Sequence, residues 1–290
     1  MAAGDDAAVL RVPDGRVVAT TDVLVEGRHF RRDWSGPADV GVKAAAQNLA
    51  DVAAMGALPR TLLLGLGCPP GLSADWVLDM IRGMVEECGR AGASIAGGDV
   101  TGADCVVLGI TALGDLAGSA PVTRAGARPG DIVALAGPVG WSAAGLALLR
   151  AGQGSPAGAS LGALVQAHLR PRPPYRAGPA AARAGATAML DVSDGLLADL
   201  GHIAAASGVC IDIGTSRLHA SEPMMAASRL LKAPWQEWAL TGGEDHALTA
   251  TFPAGSALPG GWSIIGDVRE GEGVQVDGEP WTSRAGWQHF

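Results

Sequence analysis

The chain has 290 residues, of which 48% are hydrophobic, and its formal net charge is −8. This length and apolar content favour two domains with a large core, whereas the acidic balance disfavours nucleic-acid binding. The four cysteines form no C-x-x-C pair, no leader begins the chain, and no apolar run approaches the roughly 18 residues of a membrane span. We therefore expect a reduced, soluble, cytoplasmic protein that contacts neither nucleic acid nor membrane.

The first half combines short apolar runs with two helical patterns. Pro13-Asp14-Gly15 is a turn signal between two apolar runs, so it predicts a hairpin with Asp22 at the end of its second strand. Pro37 opens one helix and Ser73 caps another. The predicted elements form an α+β sandwich with strands at 7–12 and 16–21, a helix at 37–55, a strand at 61–67, a helix at 73–90, and strands at 95–96 and 105–113.

The second half begins at a break rich in Gly, Pro and Arg, from Arg124 to Asp131. We place the domain boundary there, which gives domains 1–123 and 124–290. Helices and strands follow in mixed order, so we expect an α/β domain. The predicted strands are 132–136, 188–190, 209–213, 246–252, 262–265 and 274–276, and the predicted helices end near 150 or span 161–169, 174–184, 196–207, 221–231 and 234–240.

Polar residues form a stripe on the first predicted helix. Lys43, Gln47 and Asp51 recur every four residues and share one face, and Asn48 lies beside them. Such a stripe is often a solvated face with an ordinary ion pair. Here Ala, Leu and Val flank it on nearly every side, so we expect the stripe to line a cleft.

Aspartates recur beside Gly, Ser or Thr at the ends of apolar runs. The stretch from Ser94 to Thr101 predicts a buried strand that ends in a tight loop presenting Asp99, with Gly97 and Gly98 allowing a phosphate to approach the backbone. Each aspartate alone is typical of a turn. Together they would repel unless a cation such as Mg²⁺ joined them, which indicates a nucleoside triphosphate and phosphoryl transfer. The set is Asp6, Asp22, Asp51, Asp99, Asp191 and Asp194.

Several other chemistries have no support in the sequence. It contains neither a Gly-x-x-x-x-Gly-Lys-Ser/Thr loop nor His-Arg-Asp and Asp-Phe-Gly motifs, and no His/Cys cluster has zinc spacing. One Gly-x-Ser-x-Gly match surrounds Ser160, but it follows a loop rather than a strand, so we interpret Ser160 as a helix cap.

These motifs together resemble the thiamine-monophosphate kinase family, within the superfamily that also holds aminoimidazole ribonucleotide synthetase and selenophosphate synthetase. The resemblance covers nearly the whole chain. It is carried by Gly4-Asp5-Asp6-Ala7, Thr21-Asp22-Val23-Leu24-Val25-Glu26-Gly27, His29-Phe30, Asn48-Leu49-Ala50-Asp51-Val52-Ala53-Ala54-Met55-Gly56, Gly97-Gly98-Asp99, His168-Leu169-Arg170-Pro171, Asp191-Val192-Ser193-Asp194-Gly195-Leu196 and Gly242-Gly243-Glu244-Asp245.

The resemblance implies ATP-dependent phosphorylation of thiamine phosphate to thiamine diphosphate. It also implies a homodimer that pairs its N-terminal sheets and an ATP site in the cleft between domains. The catalytic set would be Asp99, Asp194 and Arg124, and Gly98, Asp99, Arg124 and Ser193 would contact ATP. His29, Glu244 and Trp287 would contact the thiamine moiety. The magnesium ligands would be Asp6, Thr20, Thr21, Asp22, Asp51, Asp99, Asp191 and Asp194.

Two alternatives stay open. One is a sister ATP-using synthetase, although the selenophosphate enzyme would want a reactive cysteine near its N-terminus, and none precedes Cys68. The other is a nucleotide-binding scaffold without catalysis, which the intact set of carboxylates disfavours. For the kinase we expect direct in-line transfer without a phosphoenzyme, since a phosphate acceptor needs no general base.

Overall fold

The computed structural model describes residues 10–13, 15–153, 159–283 and 285–287. Their first part forms a four-stranded sheet in the order β1-β4-β2-β3, in which only β2 and β3 run parallel. Its elements are β1 (Val18–Val25), α1 (Pro37–Ala54), β2 (Leu58–Cys68), α2 (Ala74–Ala91), β3 (Ser94–Gly102) and β4 (Val107–Asp115).

One face of this sheet is covered by helices and the other is open. Leu24, Leu64 and Ile110 are buried in the core beneath the helices. On the two edge strands, Val23 of β1 is 53% exposed and Val100 of β3 is 65% exposed. The alternation of buried and exposed residues along β1 is that of a strand with one covered face.

The second part forms a seven-stranded sheet in the order β11-β10-β7-β9-β5-β8-β6, in which only β10 and β7 run parallel. Its strands are β5 (Ile132–Ala136), β6 (Ala188–Asp191), β7 (Cys210–Ile213), β8 (Leu248–Phe252), β9 (Trp262–Arg269), β10 (Gly273–Val276) and β11 (Glu279–Pro280). Its helices are α3 (Trp141–Arg150), α4 (Ala159–Leu169), α5 (Ala177–Arg183), α6 (Leu196–Ser207), α7 (Glu222–Leu231) and α8 (Trp235–Thr241).

Helix α1 lies where the two parts meet, and its backbone approaches its neighbours closely. A Cβ atom at Gly41 would collide with the carbonyl oxygen of Met80 on α2, and one at Gly83 of α2 would collide with that of Ala38. A Cβ atom at Gly178 of α5 would likewise collide with the carbonyl oxygen of Ala53. Glycine at these positions lets the main chains pack without an intervening side chain.

The mixed α/β, two-domain class and nearly all the predicted elements agree with this architecture. The boundary at residue 124 falls in the segment between β4 and β5 and stays a prediction. Within the described residues, no helix is both long and apolar enough to cross a membrane.

Three local predictions were wrong. The first strand and the turn of the expected hairpin lie mostly outside the described residues, of which 10–12 form no strand, whereas β1 pairs with β4 and extends to Val25, past the predicted end at residue 21. Asp22 therefore lies inside β1 rather than at its end. Asp99 lies inside β3, which is an exposed edge strand and not a buried strand ending in a loop. Ser160 lies within the first turn of α4 rather than capping it.

Candidate active site

Three carboxylates gather between α1, β1 and the end of β6: Asp22, Asp51 and Asp191, here called the acidic cluster. In each of them, atom Oδ2 accepts a hydrogen bond from one neighbouring side chain. The donors are Thr20 Oγ1 to Asp51 at 2.8 Å, Gln47 Nε2 to Asp22 at 3.0 Å and His246 Nδ1 to Asp191 at 3.0 Å.

The acidic cluster places negative charge where water is scarce. Burial raises the pKa of Asp51 to about 8, and the charges of Asp191 and Asp22 add to that rise. Burial lowers the pKa of His246, but its hydrogen bond to Asp191 and the nearby carboxylates raise it more, so the net shift is upward. A group of oxygen ligands with unbalanced negative charge fits a hard divalent cation such as Mg²⁺.

The loop from Gly242 to His246 connects this cluster to a cavity. Glu244 and His246 both adopt left-handed backbone conformations, with φ of 64° and 53°. The loop is fixed on the segment after β6, because the Glu244 N–H donates to the Ser193 carbonyl at 2.8 Å and the His246 N–H donates to the Val192 carbonyl at 3.0 Å. Uncommon backbone conformations held in this way often occur at functional sites.

The cavity has a volume of about 350 Å³, and His29, Trp34, Arg150, His168 and Glu244 are among its lining residues. The Val25 N–H donates to Nδ1 of His29 at 3.0 Å. A neutral His29 ring therefore carries its proton on Nε2, where it is a hydrogen-bond donor.

Glu244 is already paired inside the protein. Its Oε2 lies 3.2 Å from Lys43 Nζ and 3.4 Å from His168 Nδ1, which also contacts Ser142 Oγ at 3.0 Å. Burial raises the pKa of Glu244, but neighbouring positive charge, chiefly that of Lys43, lowers it more, so the net shift is downward. Burial, reinforced by Lys43, lowers the pKa of His168 to about 3 and keeps its ring neutral.

A second group of polar residues lies at the start of α6. Asp199 Oδ2 accepts hydrogen bonds from the N–H groups of Asp194 and Gly195, both at 3.0 Å. Ligand atoms of Asp194, Asp199 and His202 lie within 4.8 Å of one another. The Trp287 N–H donates to the Asp194 carbonyl, which places this 59% exposed tryptophan beside the same loop.

Some predicted site residues lie apart from the acidic cluster. The Thr21 side chain donates to the Ile110 carbonyl on the neighbouring strand, and Arg124 is exposed in the segment between β4 and β5. Asp99 and Asp22 lie on opposite edge strands, so about three strand spacings, roughly 14 Å, separate them. Asp6 is outside the described residues.

The structure gives Gly98 a packing role. A Cβ atom there would collide with the Leu64 carbonyl oxygen on β2, whereas one at Gly97 would meet nothing within 4 Å. Glycine at position 98 therefore follows from strand pairing alone, without a phosphate.

The sequence did not reveal several residues of the site. Trp34 shares the cavity with His29, and His246 contacts Asp191 from 55 residues away. Asp199 and His202 carried one local signal, since an i, i+3 spacing places both on one face of α6. The partners of the other two depend on tertiary packing.

Two family models match the chain. The model for the N-terminal domain of AIR synthase related proteins matches residues 4–116, and the C-terminal model matches residues 128–277. Both domains of that class are therefore present, in the expected order.

The relatives narrow the class further. A thiamine-monophosphate kinase from Mycobacterium tuberculosis (strain CDC 1551 / Oshkosh) is 50% identical over 99% of this chain and 85% of its own length. The solved structure of AaThiL complexed with AMPPCP and TMP is 36% identical to this chain in sequence and matches it with a TM-score of 0.89. The match covers 94% of this chain and 87% of that one. The enzyme from Stenotrophomonas maltophilia K279a is 33% identical with a TM-score of 0.87, covering 97% and 92%. The chain belongs to the thiamine-monophosphate kinase family.

Proposed function

We propose that this chain transfers the γ-phosphoryl group of ATP to thiamine phosphate and forms thiamine diphosphate. One observation carries the proposal. The loop from Gly242 to His246 places Glu244 in the cavity and His246 on the acidic cluster, two residues apart. A cavity for an organic substrate thus adjoins a site suited to a cation, as phosphoryl transfer requires.

The cavity would take the thiamine moiety, with His29 and Glu244 as contacts from its lining. Trp287, which is beside Asp194 and not among the lining residues, would contact the thiamine moiety from outside the cavity. Because Lys43 already balances the charge of Glu244, we assign this carboxylate to accept a hydrogen bond from the substrate rather than to balance its cationic ring. His29 would donate through Nε2. Trp287 would offer an aromatic face to the thiazolium cation.

The acidic cluster, together with Thr20, Asp194 and the predicted ligand Asp6, would hold Mg²⁺. Thr21, whose hydroxyl donates to the Ile110 carbonyl, and Asp99, roughly 14 Å from Asp22, are left out of this set. Bound magnesium would offset the repulsion between the two polyanionic substrates. Gly98, Asp99, Arg124 and Ser193 would contact ATP, and Asp99, Asp194 and Arg124 would be the catalytic set.

The transfer itself would be a direct in-line displacement. A phosphate monoester, with a second pKa of about 6, is already an anionic nucleophile at neutral pH, so no general base is needed. The chain would contribute positioning and fixed charge, chiefly from Arg124. A chiral γ-phosphoryl group would then be inverted, whereas retention of configuration would require a covalent intermediate and contradict this mechanism.

We further propose a homodimer that covers the open face of the N-terminal sheet. Val23 and Val100 are more than half exposed, and β3 is an exposed edge strand, so this surface is unfavourable in water. Light scattering at micromolar concentration should give twice the 29.1 kDa chain mass. A monomer would contradict the proposal.

The direct test is an assay of the purified chain with ATP, MgCl₂ and thiamine phosphate, followed by chromatography of the thiamine esters. We expect stoichiometric thiamine diphosphate and ADP, and no product after chelation of magnesium. Thiamine without its phosphate is the control acceptor, and its phosphorylation in preference to thiamine phosphate would refute the assignment.

A further inference from the structure

The three carboxylates of the acidic cluster are held in the same manner. In each, Oδ2 accepts one side-chain hydrogen bond, and among the described residues Oδ1 accepts none. A carboxylate with one oxygen fixed keeps its second oxygen available in a defined direction. Two of the three hydrogen bonds join β1 and α1, because Thr20 of β1 holds Asp51 of α1 and Gln47 of α1 holds Asp22 of β1.

The third donor, His246, lies just before β8, in the same part of the structure as Asp191 at the end of β6. The backbone N–H of His246 donates to the Val192 carbonyl, and its backbone is left-handed, with a φ of 53°. His246 is only 5% exposed. An ionised carboxylate only accepts hydrogen bonds, so Nδ1 of His246 is the donor to Asp191. The charged groups facing this ring are Asp191, Asp51, Glu244 and Asp245.

We propose that His246 is a positioning residue whose Nδ1–H fixes the carboxylate plane of Asp191, so that Oδ1 is presented to the divalent cation of the acidic cluster. The inference rests on the proposed function, which assigns that cluster to magnesium. Hydrogen bonds to metal-ligating side chains hold them in orientation, and their loss typically lowers metal affinity about 10–100-fold. Without His246 the carboxylate of Asp191 would have to be ordered by the metal itself.

The test measures Mn²⁺ binding to the full chain without nucleotide or thiamine phosphate, by the electron paramagnetic resonance signal of free Mn²⁺. His246→Leu removes the donor and should weaken binding about tenfold or more. His246→Asn keeps an N–H donor near the position of Nδ1 and tolerates the left-handed backbone, so its affinity should stay within about threefold of wild type. His219→Leu, at an exposed histidine, is the control and should bind as wild type does.

The outcomes separate this inference from the proposed function. Folded His246→Leu that binds Mn²⁺ as tightly as wild type overturns the positioning role alone, as does His246→Asn that binds as weakly as His246→Leu. If His246→Leu does not fold, His246→Gln takes its place, because its donor lies nearer to the Nε2 position and should bind more weakly than His246→Asn. A wild-type chain that binds no Mn²⁺ overturns the magnesium assignment, and this inference with it.

Discussion

Asp51 belongs to the polar stripe of α1 and Glu244 pairs with Lys43 of that stripe, yet their surroundings change the pKa values of the two carboxyl groups in opposite directions. Burial and two neighbouring carboxylates raise the pKa of Asp51 to about 8. Glu244 is subject to burial as well, but neighbouring positive charge, chiefly that of Lys43, lowers its pKa overall. The charge of Glu244 is thus balanced by a lysine of the protein itself, whereas the charge of the acidic cluster around Asp51 is not.

This difference suits Glu244 to substrate binding and the acidic cluster to cation binding. A carboxylate with its own lysine partner needs no ion from solution and suits recognition of a neutral polar group. A cluster without enough positive charge loses stability until a cation binds, so the cation should bind to it selectively. The following predictions alter one region and use the other as reference.

Asp51→Asn should have the largest effect. Loss of a metal ligand should lower turnover about 1,000-fold or more, because bound metal supplies several kcal/mol of transition-state stabilisation. The raised pKa of Asp51 means that its ionisation opposes folding above its unfolded value, so the metal-free variant should melt at a higher temperature than wild type. Steady-state assays and thermal unfolding in a chelator measure the two effects.

Asp212→Asn is the matched control for that substitution. Asp212 is buried, at 7% exposure, and pairs with Arg269 at 2.7 Å, away from the site. Its loss should lower stability and leave turnover nearly unchanged. If both variants changed stability with the same sign, the contrast between paired and unpaired carboxylates would be wrong.

Lys43→Met should leave the charge of Glu244 unbalanced, because it removes the lysine with which Glu244 pairs. We expect a loss of about 2–3 kcal/mol in the free energy of unfolding, which is below the roughly 3–5 kcal/mol of a fully buried pair because the Glu244 side chain is 34% exposed. Urea denaturation measures it. The double variant Lys43→Met/Glu244→Gln should recover at least half of the loss, and no recovery would show that Lys43 acts through packing instead.

His168→Gln should change how stability depends on pH. Unfolded histidine gains a proton near pH 6.5, whereas folded His168 stays neutral down to a pKa of about 3. The unfolded state therefore binds more protons in this window, and wild-type stability should fall as pH decreases below 6.5, by about 1.4 kcal/mol per pH unit from this group. Between pH 6.5 and 5 the variant should lose about 2 kcal/mol less than wild type, and equal losses would contradict the neutral ring.

Trp287→Ala should have the smallest effect and concerns substrate only. Loss of an aromatic face should weaken thiamine phosphate binding by about 0.5–2 kcal/mol, up to roughly thirtyfold, with ATP binding unchanged. Calorimetric titration with each ligand measures both affinities. Equal weakening for the two ligands would mean that Trp287 only packs against the loop of Asp194.

The helices and strands could be predicted from the sequence because glycines, prolines and hydrophobic periodicity mark where they begin and end. Helix α6 spans the predicted residues, since Gly195 precedes it and Gly208 ends it. The predicted hairpin lies mostly outside the described residues, and turn chemistry, which is local, did not reveal that β1 pairs with β4, about 90 residues away. For the same reason the polar stripe predicted a cleft, but not that Lys43 would meet Glu244, 201 residues further on.

The close backbone contacts of α1 have a consequence for all these experiments. Helix α1 carries Lys43, Gln47 and Asp51, and three glycine contacts leave no room for a methyl group between it and its neighbours. The position of α1 therefore sets the positions of both charge regions at once. Gly41→Ala, which adds no charge and touches no ligand, should displace α1 and disturb the metal site and the substrate cavity together.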